Sequence, residues 1–516
     1  MKELNLKYME IVQNRLEKNI ISGKAAVEYM KNSTAVYKDV PVACLYMPKL
    51  FSKDAFDYLT EAANTICLIL DKVIKRYLDD PKYRALFPFS KEVEELILID
   101  AGYPRLLPIS RLDIFFNEDD FTYKFCEFNA DGASAMNEDR EICTALQSTD
   151  AFYKMREEYE ITPFELFDTW VREFIDIYGT YNKKASYPPN IIITDFMDRA
   201  TPNEFIEFKK AFQKAGYSVD ICDIRDLKYD KGVLLAPDGN KVDVVYRRAV
   251  TRDIMERREE VEAFIQAARD NAACIIGHFR TQVIHNKVIF MILRMPETLE
   301  FLTEEEREYI LEHIPETISL KKGLFDFDEV LKNKNEWLIK PQDLYASKGV
   351  YAGVDMDMEA WRKVIEQSVG TDYLLQRYCP PYQTLNLDFN DCDRPDFETY
   401  NNITGMFVYN GKLVGLYSRG GQRGIVSTLA EGKTMASMMA KPKGKYFAER
   451  FSFLTPVLVV GVLYLIFRFN NSCSICQASL WLWLQCSSAV YISIFFWPFL
   501  FLPAIIISII WYKISF

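Results

Sequence analysis

Histidine, regularly spaced cysteine and an apolar leader are scarce or absent in this sequence. His278, His285 and His313 are the only histidines, which argues against a histidine-based zinc site and against a Ser-His-Asp triad. The 11 cysteines follow no regular spacing, and the single C-x-x-C, Cys473 and Cys476, has no partner pair. This usage is typical of a reducing compartment rather than a disulfide framework. The polar N-terminal residues lead into no apolar run, which predicts no secretory signal there.

Positive charge is also in deficit. The chain has 62 Lys and Arg against 73 Asp and Glu, a net charge of −11. An acidic balance argues against a surface that coats nucleic acid, so we expect no nucleic-acid partner. No Rossmann-type glycine fingerprint occurs, which argues against dinucleotide binding.

The apolar periodicity predicts a mixed α/β chain with two or three domains. Helical spacing predicts helices at 55–77, 138–158 and 163–177. Strands at 190–195, 217–222 and 244–246, with a helix between the first two, predict a small, mostly parallel α/β domain. Further strands are predicted at 337–341, 373–378, 403–409 and 412–417, the last two joined by an Asn-Gly turn.

One stretch concentrates the polar residues that could carry chemistry. Two β-rich runs, 106–116 and 122–130, flank an acidic turn and predict a hairpin. Alternation places Arg111 and Asp113 on one face of the first strand, and Glu127 and Asn129 on one face of the second. If the turn holds an odd number of residues, Arg111 lies opposite Glu127 and Asp113 opposite Phe125, and the four polar groups point the same way.

This face has two interpretations. Two carboxylates and an amide oxygen are hard ligands suited to Mg²⁺, and Arg111 would supply a fork of donors to a phosphate or carboxylate. The same pattern also fits an amphipathic hairpin with a solvated, salt-bridged face.

Later residues could hold nucleotide phosphates. Lys287 and Lys340 are candidate phosphate clamps, and the turn Ser347-Lys348-Gly349 could fold its amides over the phosphates. A strand-end lysine is also commonly just solvated, and a glycine loop just a turn. The segment 375–378 could present backbone groups to an adenine edge; it comprises Leu375, Gln376, Arg377 and Tyr378.

The order of these motifs resembles the glutathionylspermidine synthase family. It runs R-x-D, E-x-N-A-D, N-K before a helix, K-P before a glycine loop, a strand containing Gln, and a late R-G, over residues 10–435. The resemblance implies a circularly permuted ATP-grasp fold with a pre-ATP-grasp domain. The implied divisions are a helical region with the metal-binding hairpin (1–180), the pre-ATP-grasp domain (181–280), the nucleotide-binding region (281–440) and an apolar tail (441–516).

By that resemblance the chain is an ATP- and Mg²⁺-dependent ligase that joins a peptide-like carboxylate to an amine through an acyl phosphate. Asp113, Glu127 and Asn129 would be the metal ligands, and Arg111 would contact the transferred phosphoryl group or the substrate carboxylate. Arg419 could stabilise the transition state. The ATP contacts implied are Lys287, Lys340, residues 375–378, and also Asn402, Ser418 and Gly420.

The sequence departs from the family in two places. The phosphate loop usually reads glycine–basic–x–glycine, whereas here it is Ala346-Ser347-Lys348-Gly349, which puts the closure of the loop in doubt. The chain begins almost directly in the ligase region, so no amidase activity is expected. A nucleotide-binding scaffold or sensor without turnover, and a ligase for another substrate such as a secondary-metabolite peptide, remain alternatives. Arg247, Arg248 and Arg252 fit either an anionic substrate pocket or a solvated surface.

The tail changes character after residue 445. Residues 453–467 and 478–512 are almost wholly apolar, enough for one or two membrane spans. The lysines and arginine that precede them would place the catalytic region in the cytoplasm under the positive-inside rule. A frameshift near residue 445 is the competing interpretation, since no acidic residue follows Glu449 and the family resemblance stops just before the change.

Overall fold

The computed structural model describes residues 1–182, 186–344, 347–426 and 431–443. Almost all of the apolar tail, with its two alternative interpretations, lies outside these residues. Within them, no helix is both long enough and apolar enough to span a bilayer. All the elements below belong to one compact unit, Met1–Pro442.

The strands that build the sheets are, in chain order, β1 (Val36–Tyr37), β2 (Val40–Pro41), β3 (Lys49–Phe51), β4 (Ile109–Phe116), β5 (Tyr123–Asn129), β6 (Tyr159–Pro163), β7 (Asn190–Asp195), β8 (Ser218–Asp223), β9 (Lys228–Asp230), β10 (Val233–Leu235), β11 (Val244–Arg247), β12 (Cys274–Ile276), β13 (Thr317–Ser319), β14 (Trp337–Pro341), β15 (Tyr351–Ala352), β16 (Tyr373–Arg377), β17 (Gln383–Asn386), β18 (Glu398–Tyr409), β19 (Lys412–Gly421), β20 (Lys433–Met435) and β21 (Ser437–Pro442).

The helices that cover the sheets are α1 (Lys2–Asn14), α2 (Leu16–Asn32), α3 (Lys53–Asp79), α4 (Pro81–Arg84), α5 (Lys91–Leu98), α6 (Met136–Leu146), α7 (Asp150–Met155), α8 (Phe167–Gly179), α9 (Pro202–Lys214), α10 (Thr251–Glu256), α11 (Glu262–Arg269), α12 (Gln282–His285), α13 (Ile289–Ile292), α14 (Pro296–Leu299), α15 (Glu304–His313), α16 (Phe327–Lys332) and α17 (Met358–Ser368).

A six-stranded antiparallel sheet forms the centre, in the order β20-β19-β18-β4-β5 with β17 added beside β18. It joins the predicted early hairpin β4–β5 to the predicted late hairpin β18–β19, which the Asn410-Gly411 turn closes with positive φ at both residues. Strand β4 pairs with β18, so chain segments about 300 residues apart become neighbours. One face of the sheet packs on the long helix α3 and is apolar; the opposite face carries the polar residues.

The register of β4 and β5 differs from the prediction. Arg111 lies opposite Asn129, and Asp113 lies opposite Glu127, rather than Arg111 opposite Glu127 and Asp113 opposite Phe125. The turn from 117 to 122 has an even number of residues, and a bulge at Cys126 adds one more before Glu127. The longer turn and the bulge each move the pairing by one residue. Together they leave Glu127 and Asn129 on the same face as Arg111 and Asp113, as predicted.

The strands predicted at 190–195, 217–222 and 244–246 form one small parallel sheet. The sheet has the order β12-β11-β7-β8, and every pair in it is parallel. Helix α9 connects β7 to β8, and the chain then crosses back to place β11 on the other side of β7. The carboxyl ends of β7 and β11 therefore bound the crevice where parallel sheets usually bind ligands.

A second antiparallel sheet, β13-β16-β14-β15, carries the predicted strands at 337–341 and 373–378. A three-stranded sheet has the order β3-β21-β6. Strand β6 was not predicted; its residues precede or overlap the expected helix at 163–177, which begins only at Phe167. The expected helix at 138–158 is likewise divided into α6 and α7. Strand β6 is formed by pairing with β21, a partner too distant in sequence to leave a local pattern.

Candidate active site

The polar face of the β4–β5 hairpin is held together by an ion pair. Arg111 Nε donates to Asp113 Oδ1 at 2.7 Å, and Arg111 Nη2 donates to Asp113 Oδ2 at 2.9 Å. Asn129 Nδ2 donates to the same Oδ2 at 3.1 Å, and Arg111 Nη1 donates to the carbonyl of Ser134 at 2.9 Å. Arg111 and Asp113 are both buried. A two-pronged contact of this kind fixes the plane of the guanidinium.

Gly405 provides the room for this ion pair. It lies on β18 directly opposite Asp113, and an added Cβ would come within 2.8 Å of both Arg111 Cδ and Asp113 Oδ1. A side chain there would displace one of the two charged groups. Sequence reasoning missed Gly405, although a glycine inside a strand is the local sign of such a close approach.

Two lysines from much later in the chain meet the hairpin. Lys287, which follows α12, places its Nζ 2.7 Å from Glu127 Oε1 and 2.6 Å from the carbonyl of Leu344. Lys340, on β14, donates to the carbonyl of Cys126 at 3.2 Å and lies 4.5 Å from the ring centroid of Phe290. Both lysine side chains are buried. The structure thus brings together the two predicted phosphate clamps and the predicted oxygen ligands.

The charges shift the pKa values of this group. Burial disfavours the charged form of Glu127, but the attraction and hydrogen bond from Lys287, with the charges of Lys340 and His285, outweigh burial and lower its pKa to about 2. Burial, and next the like charge of Lys287, lower the pKa of Lys340 to about 8. Near pH 7 the site therefore holds an ionised carboxylate beside a lysine that gives up its proton unusually easily.

Arg419 approaches the same carboxylate from β19. Its Nη2 lies 3.8 Å from Asp113 Oδ2, and its guanidinium carbon lies 5.4 Å from the ring centroid of Tyr417. The guanidinium carbon of Arg111 lies 5.3 Å from the same ring. Tyr417 and its hydrogen-bond acceptor Glu138 were not predicted as site residues. No local motif marks them, because only the pairing of β18 with β4 and β19 brings them to Arg111.

A cavity of about 210 Å³ connects this cluster to the parallel domain. One end is lined by Arg111, Glu127, Asn129, His285 and Arg419, and the other lies at the carboxyl ends of β7 and β11. The second end is lined by Asp195, Arg199, Thr201, Glu204, Arg248 and Asp253.

Two arginines at the carboxyl end of β11 are paired rather than solvated. Arg248 Nη2 lies 2.7 Å from Glu204 Oε1, and both are buried. Arg247 is buried against Asp131. For these two arginines the solvated interpretation is wrong, because their strand ends inside the molecule; Arg252 remains partly exposed. Burial raises the pKa of Asp195 to about 7, with Arg248 opposing the shift.

The predicted phosphate loop reaches the cavity at one residue. Ser347 lines the same cavity as Glu127, and Lys348 lines an adjoining cavity of about 760 Å³. Gly349 has φ of +69° and packs against the Tyr373 hydroxyl, which an added Cβ would approach to 2.6 Å. Ala346, the first residue of the motif, lies outside the described part of the chain.

The predicted adenine segment borders a groove of about 1200 Å³, which Arg377 and Tyr378 line. Leu375 and Gln376 belong to the interior of a sheet, and Gln376 Nε2 donates to Thr317 Oγ1 at 2.7 Å. The backbone N–H groups of Arg377 and Tyr378 already donate to the carbonyls of Glu316 and Glu336. In this structure, contact with an adenine edge would therefore not come from those two N–H groups.

Three further predicted ATP contacts face away from the cluster. Asn402, Ser418 and Gly420 alternate with Ile403 and Arg419, so their side chains or Cα hydrogens project from the opposite face of the central sheet. Ser418 Oγ bonds Ser437 Oγ at 2.9 Å, and Asn402 Nδ2 donates to the carbonyl of Tyr382 at 2.9 Å. The structure does not bring these three to the predicted metal ligands.

The donor set of the hairpin is compatible with Mg²⁺. Within the described ranges no three His, Cys, Asp or Glu side chains cluster as a metal site. The predicted set instead combines two carboxylates, from Asp113 and Glu127, with the amide of Asn129, all on one face of adjacent strands. Lys287 keeps Glu127 ionised, and oxygen donors of this kind suit Mg²⁺ when phosphate oxygens complete its coordination.

Comparison with known proteins shows a likeness in fold. No protein-family model matches the chain, and no curated protein matches it. A glutathione synthetase-like effector from Globodera pallida, solved in the apo form, has 12% identity and a TM-score of 0.51, covering 81% of this chain and 97% of its own.

Two more distant structures complete the comparison. A putative gamma-glutamylcysteine synthetase from Methylobacillus flagellatus has 9% identity and a TM-score of 0.37, covering 76% of this chain and 90% of its own. The D-cycloserine synthetase DcsG has 12% identity and a TM-score of 0.25, covering 50% of this chain and 76% of its own. Both scores are below 0.5, so only the first similarity bears on the fold. It supports the predicted mixed α/β fold, which this chain shares with that effector.

Proposed function

We propose that this protein is an ATP- and Mg²⁺-dependent carboxylate–amine ligase of the glutathionylspermidine synthase type, with a circularly permuted ATP-grasp fold. One observation carries the proposal: Lys287 and Lys340 converge on the hairpin that bears Asp113 and Glu127, with Arg111 and Arg419 beside them. Four cations around two carboxyl groups form a site that can neutralise the charge of a triphosphate. The likeness in fold to the glutathione synthetase-like effector supports this assignment.

The nucleotide would lie between two sheets. The groove bordered by Tyr378 and Cys379 is large enough for the base and ribose. Lys340 donates to the carbonyl of Cys126 and lies near both Glu127 and the groove residue Cys379. A triphosphate that leaves the groove would pass Lys340 and reach Lys287 with its γ-phosphate near Arg111 and Arg419.

Magnesium would be held by Asp113, Glu127 and Asn129. When bound, it would neutralise phosphate oxygens and help to orient the leaving group. In its absence Arg111 and Lys287 balance the two carboxylates. These are also the cations that the proposal assigns to the phosphoryl group, so arrival of the nucleotide with its metal would exchange one set of ionic contacts for another.

The acid and the amine would occupy the cavity that leads to the parallel sheet. Its lining is rich in charge of both signs, which suits small polar substrates better than apolar ones. A substrate carboxylate oxygen attacks the γ-phosphorus, and ADP leaves. The amine nitrogen then attacks the carbonyl carbon of the acyl phosphate, inorganic phosphate leaves, and the amine releases a proton. Arg111 and Arg419 stabilise the negative charge that develops on the phosphoryl oxygens.

Replacement of Glu127 by Gln tests the proposal. The assay measures ADP release from ATP and Mg²⁺ in the presence of a metabolite extract, with mass spectrometry of the ligated product. The wild type is expected to release ADP only when extract is present, and the variant about 10²–10³-fold more slowly. If turnover is unchanged in the variant, Glu127 is not a ligand of the catalytic metal. ATP binding without turnover in the wild type would favour the scaffold or sensor instead.

A further inference from the structure

The ring of Tyr417 lies against both guanidinium groups of the site. The guanidinium carbon of Arg111 is 5.3 Å from its centroid, and that of Arg419 is 5.4 Å away. Tyr417 is 2% exposed, so both contacts are shielded from water. A cation over an aromatic face is held more strongly when water is excluded.

Arg419 has fewer contacts to hold it than Arg111 has. The nearest carboxylate oxygen, Asp113 Oδ2, is 3.8 Å away, beyond hydrogen-bonding range. Arg419 Nε is buried and has no hydrogen-bond partner among the described residues. Arg111, by contrast, has two hydrogen bonds to Asp113. The position of Arg419 therefore depends on the ring more than that of Arg111 does.

The ring itself is fixed at its far end. Tyr417 Oη donates to Glu138 Oε2 at 2.6 Å and lies 3.1 Å from Thr434 Oγ1. Glu138 lies in the first turn of α6, where a helix favours negative charge. Gly405, directly opposite Tyr417 on β18, leaves the space between the ring and the Arg111–Asp113 pair unobstructed.

We propose that Tyr417 is a positioning residue of the ligase reaction: its ring sets the guanidinium of Arg419 toward the transferred phosphoryl group. The proposal rests on the function proposed above. It assigns Tyr417 no proton transfer and no bond to the reacting atoms. A tyrosine that merely fills the core would affect stability and leave Arg419 in place.

Two substitutions distinguish the contribution of the Tyr417 ring from that of its hydroxyl. Tyr417→Phe keeps the ring and loses the bond to Glu138, so kcat is expected to stay within about threefold of the wild type. Tyr417→Leu loses the ring, so kcat is expected to fall about 10–100-fold while KM for ATP stays within about threefold. Equal kcat values for Tyr417→Leu and the wild type would overturn the proposal.

Tyr409→Leu is the matched control. Tyr409 is also a buried tyrosine of the β18–β19 hairpin, and its ring packs on Trp170. Tyr409→Leu is expected to lower the melting temperature about as much as Tyr417→Leu does and to leave kcat unchanged below that temperature. Combining Tyr417→Leu with Arg419→Met is expected to cost less than threefold beyond Arg419→Met alone, because both remove the same contribution. If the fold-loss of kcat in the double variant equals the product of the losses in the two single variants, the proposal is contradicted.

Crystal structures of the two Tyr417 variants, without ligands, test the positioning without using activity. The Arg419 guanidinium is expected to keep its place in Tyr417→Phe and to move in Tyr417→Leu. An unmoved Arg419 in Tyr417→Leu would overturn the proposal even if the wild type is an active ligase. If the wild type releases no ADP, the proposed function fails, and the same pair of structures still decides whether the ring places Arg419.

Discussion

Lys287 Nζ lies 2.7 Å from Glu127 Oε1, and the two residues come from elements that are far apart in the chain. Glu127 lies near the end of the second strand of the early hairpin, whereas Lys287 follows α12. The contact joins the predicted metal-binding hairpin to the predicted nucleotide-binding region. The following predictions test this arrangement and the surfaces around it.

Lys287→Met is expected to lower both stability and rate. It leaves Glu127, whose side chain is 23% exposed, without its cation, and the free energy of unfolding should fall by about 2–3 kcal/mol. Turnover should fall about 10²-fold or more, because a phosphate contact is also lost. Urea unfolding measures the first quantity and ADP release the second.

The control for that variant removes the unpaired charge as well. Adding Glu127→Gln to Lys287→Met should recover at least half of the lost stability and none of the turnover. If the double variant is no more stable than the single one, the ion pair is not what stabilises this contact.

ATP affinity is expected to weaken as pH rises through about 8. The pKa of Lys340 is lowered to about 8, so above that pH Lys340 loses the charge that would bind a phosphate. Calorimetric titration with ATP at pH 7, 8 and 9 should show the dissociation constant rising toward tenfold per pH unit. Lys340→Arg should flatten the profile, because arginine keeps its charge over this range.

The stability of the ligand-free protein, unlike its affinity for ATP, should increase as pH rises above about 8. The folded pKa of Lys340 lies below the value of about 10.4 in the unfolded chain, so the folded state binds fewer protons between these two values. The contribution of Lys340 therefore destabilises the fold below pH 8, and this cost is relieved as pH rises toward 10. Lys340→Met should remove this part of the pH dependence; an identical stability–pH slope in the variant would contradict the lowered pKa.

Gly405→Ala is expected to damage the site with little effect on the rest of the fold. Its Cβ would come within 2.8 Å of Arg111 Cδ and Asp113 Oδ1, so one of the paired groups must move. Turnover should fall about 10–100-fold, and stability by about 1–3 kcal/mol.

Gly415→Ala is the matched control for that change. Gly415 lies in the same sheet, and its Cβ would meet Phe164 Cβ at 2.7 Å and Leu166 Cδ2 at 2.8 Å, both apolar groups. Stability should fall by a similar amount, and turnover of the folded protein should be unchanged. Equal losses of turnover in the two variants would show that the crowding at Gly405 is not specific to the Arg111–Asp113 pair.

Ser418→Ala is expected to affect stability and not nucleotide affinity. Ser418 projects from the face of the central sheet opposite Arg419, and its hydroxyl bonds Ser437 at 2.9 Å. Loss of that bond should cost about 1 kcal/mol of unfolding free energy. The dissociation constant for ATP should stay within twofold of the wild type; a larger change would restore Ser418 to the nucleotide site.

Sequence reasoning located the hairpin, the parallel sheet and the late Asn-Gly turn because each has a local signal. Alternation marked the shared face of Arg111, Asp113, Glu127 and Asn129, and that face forms despite a wrong register. The predicted register was wrong because the bulge at Cys126 depends on pairing geometry, which the residue type does not indicate. Strand β6 was not predicted for a related reason, since its partner β21 comes much later in the chain.

By itself, the sequence determined which residue types were available and which face of each strand they occupy, because side-chain alternation is a property of the local backbone. Only the tertiary structure decided which of those faces meet. It brought Lys287 and Lys340 to Glu127, set Tyr417 beside Arg111 and Arg419, and turned Asn402, Ser418 and Gly420 away. The physical reason is that strand pairing between β4 and β18 and packing of β14 against the hairpin depend on contacts between segments that local sequence does not connect.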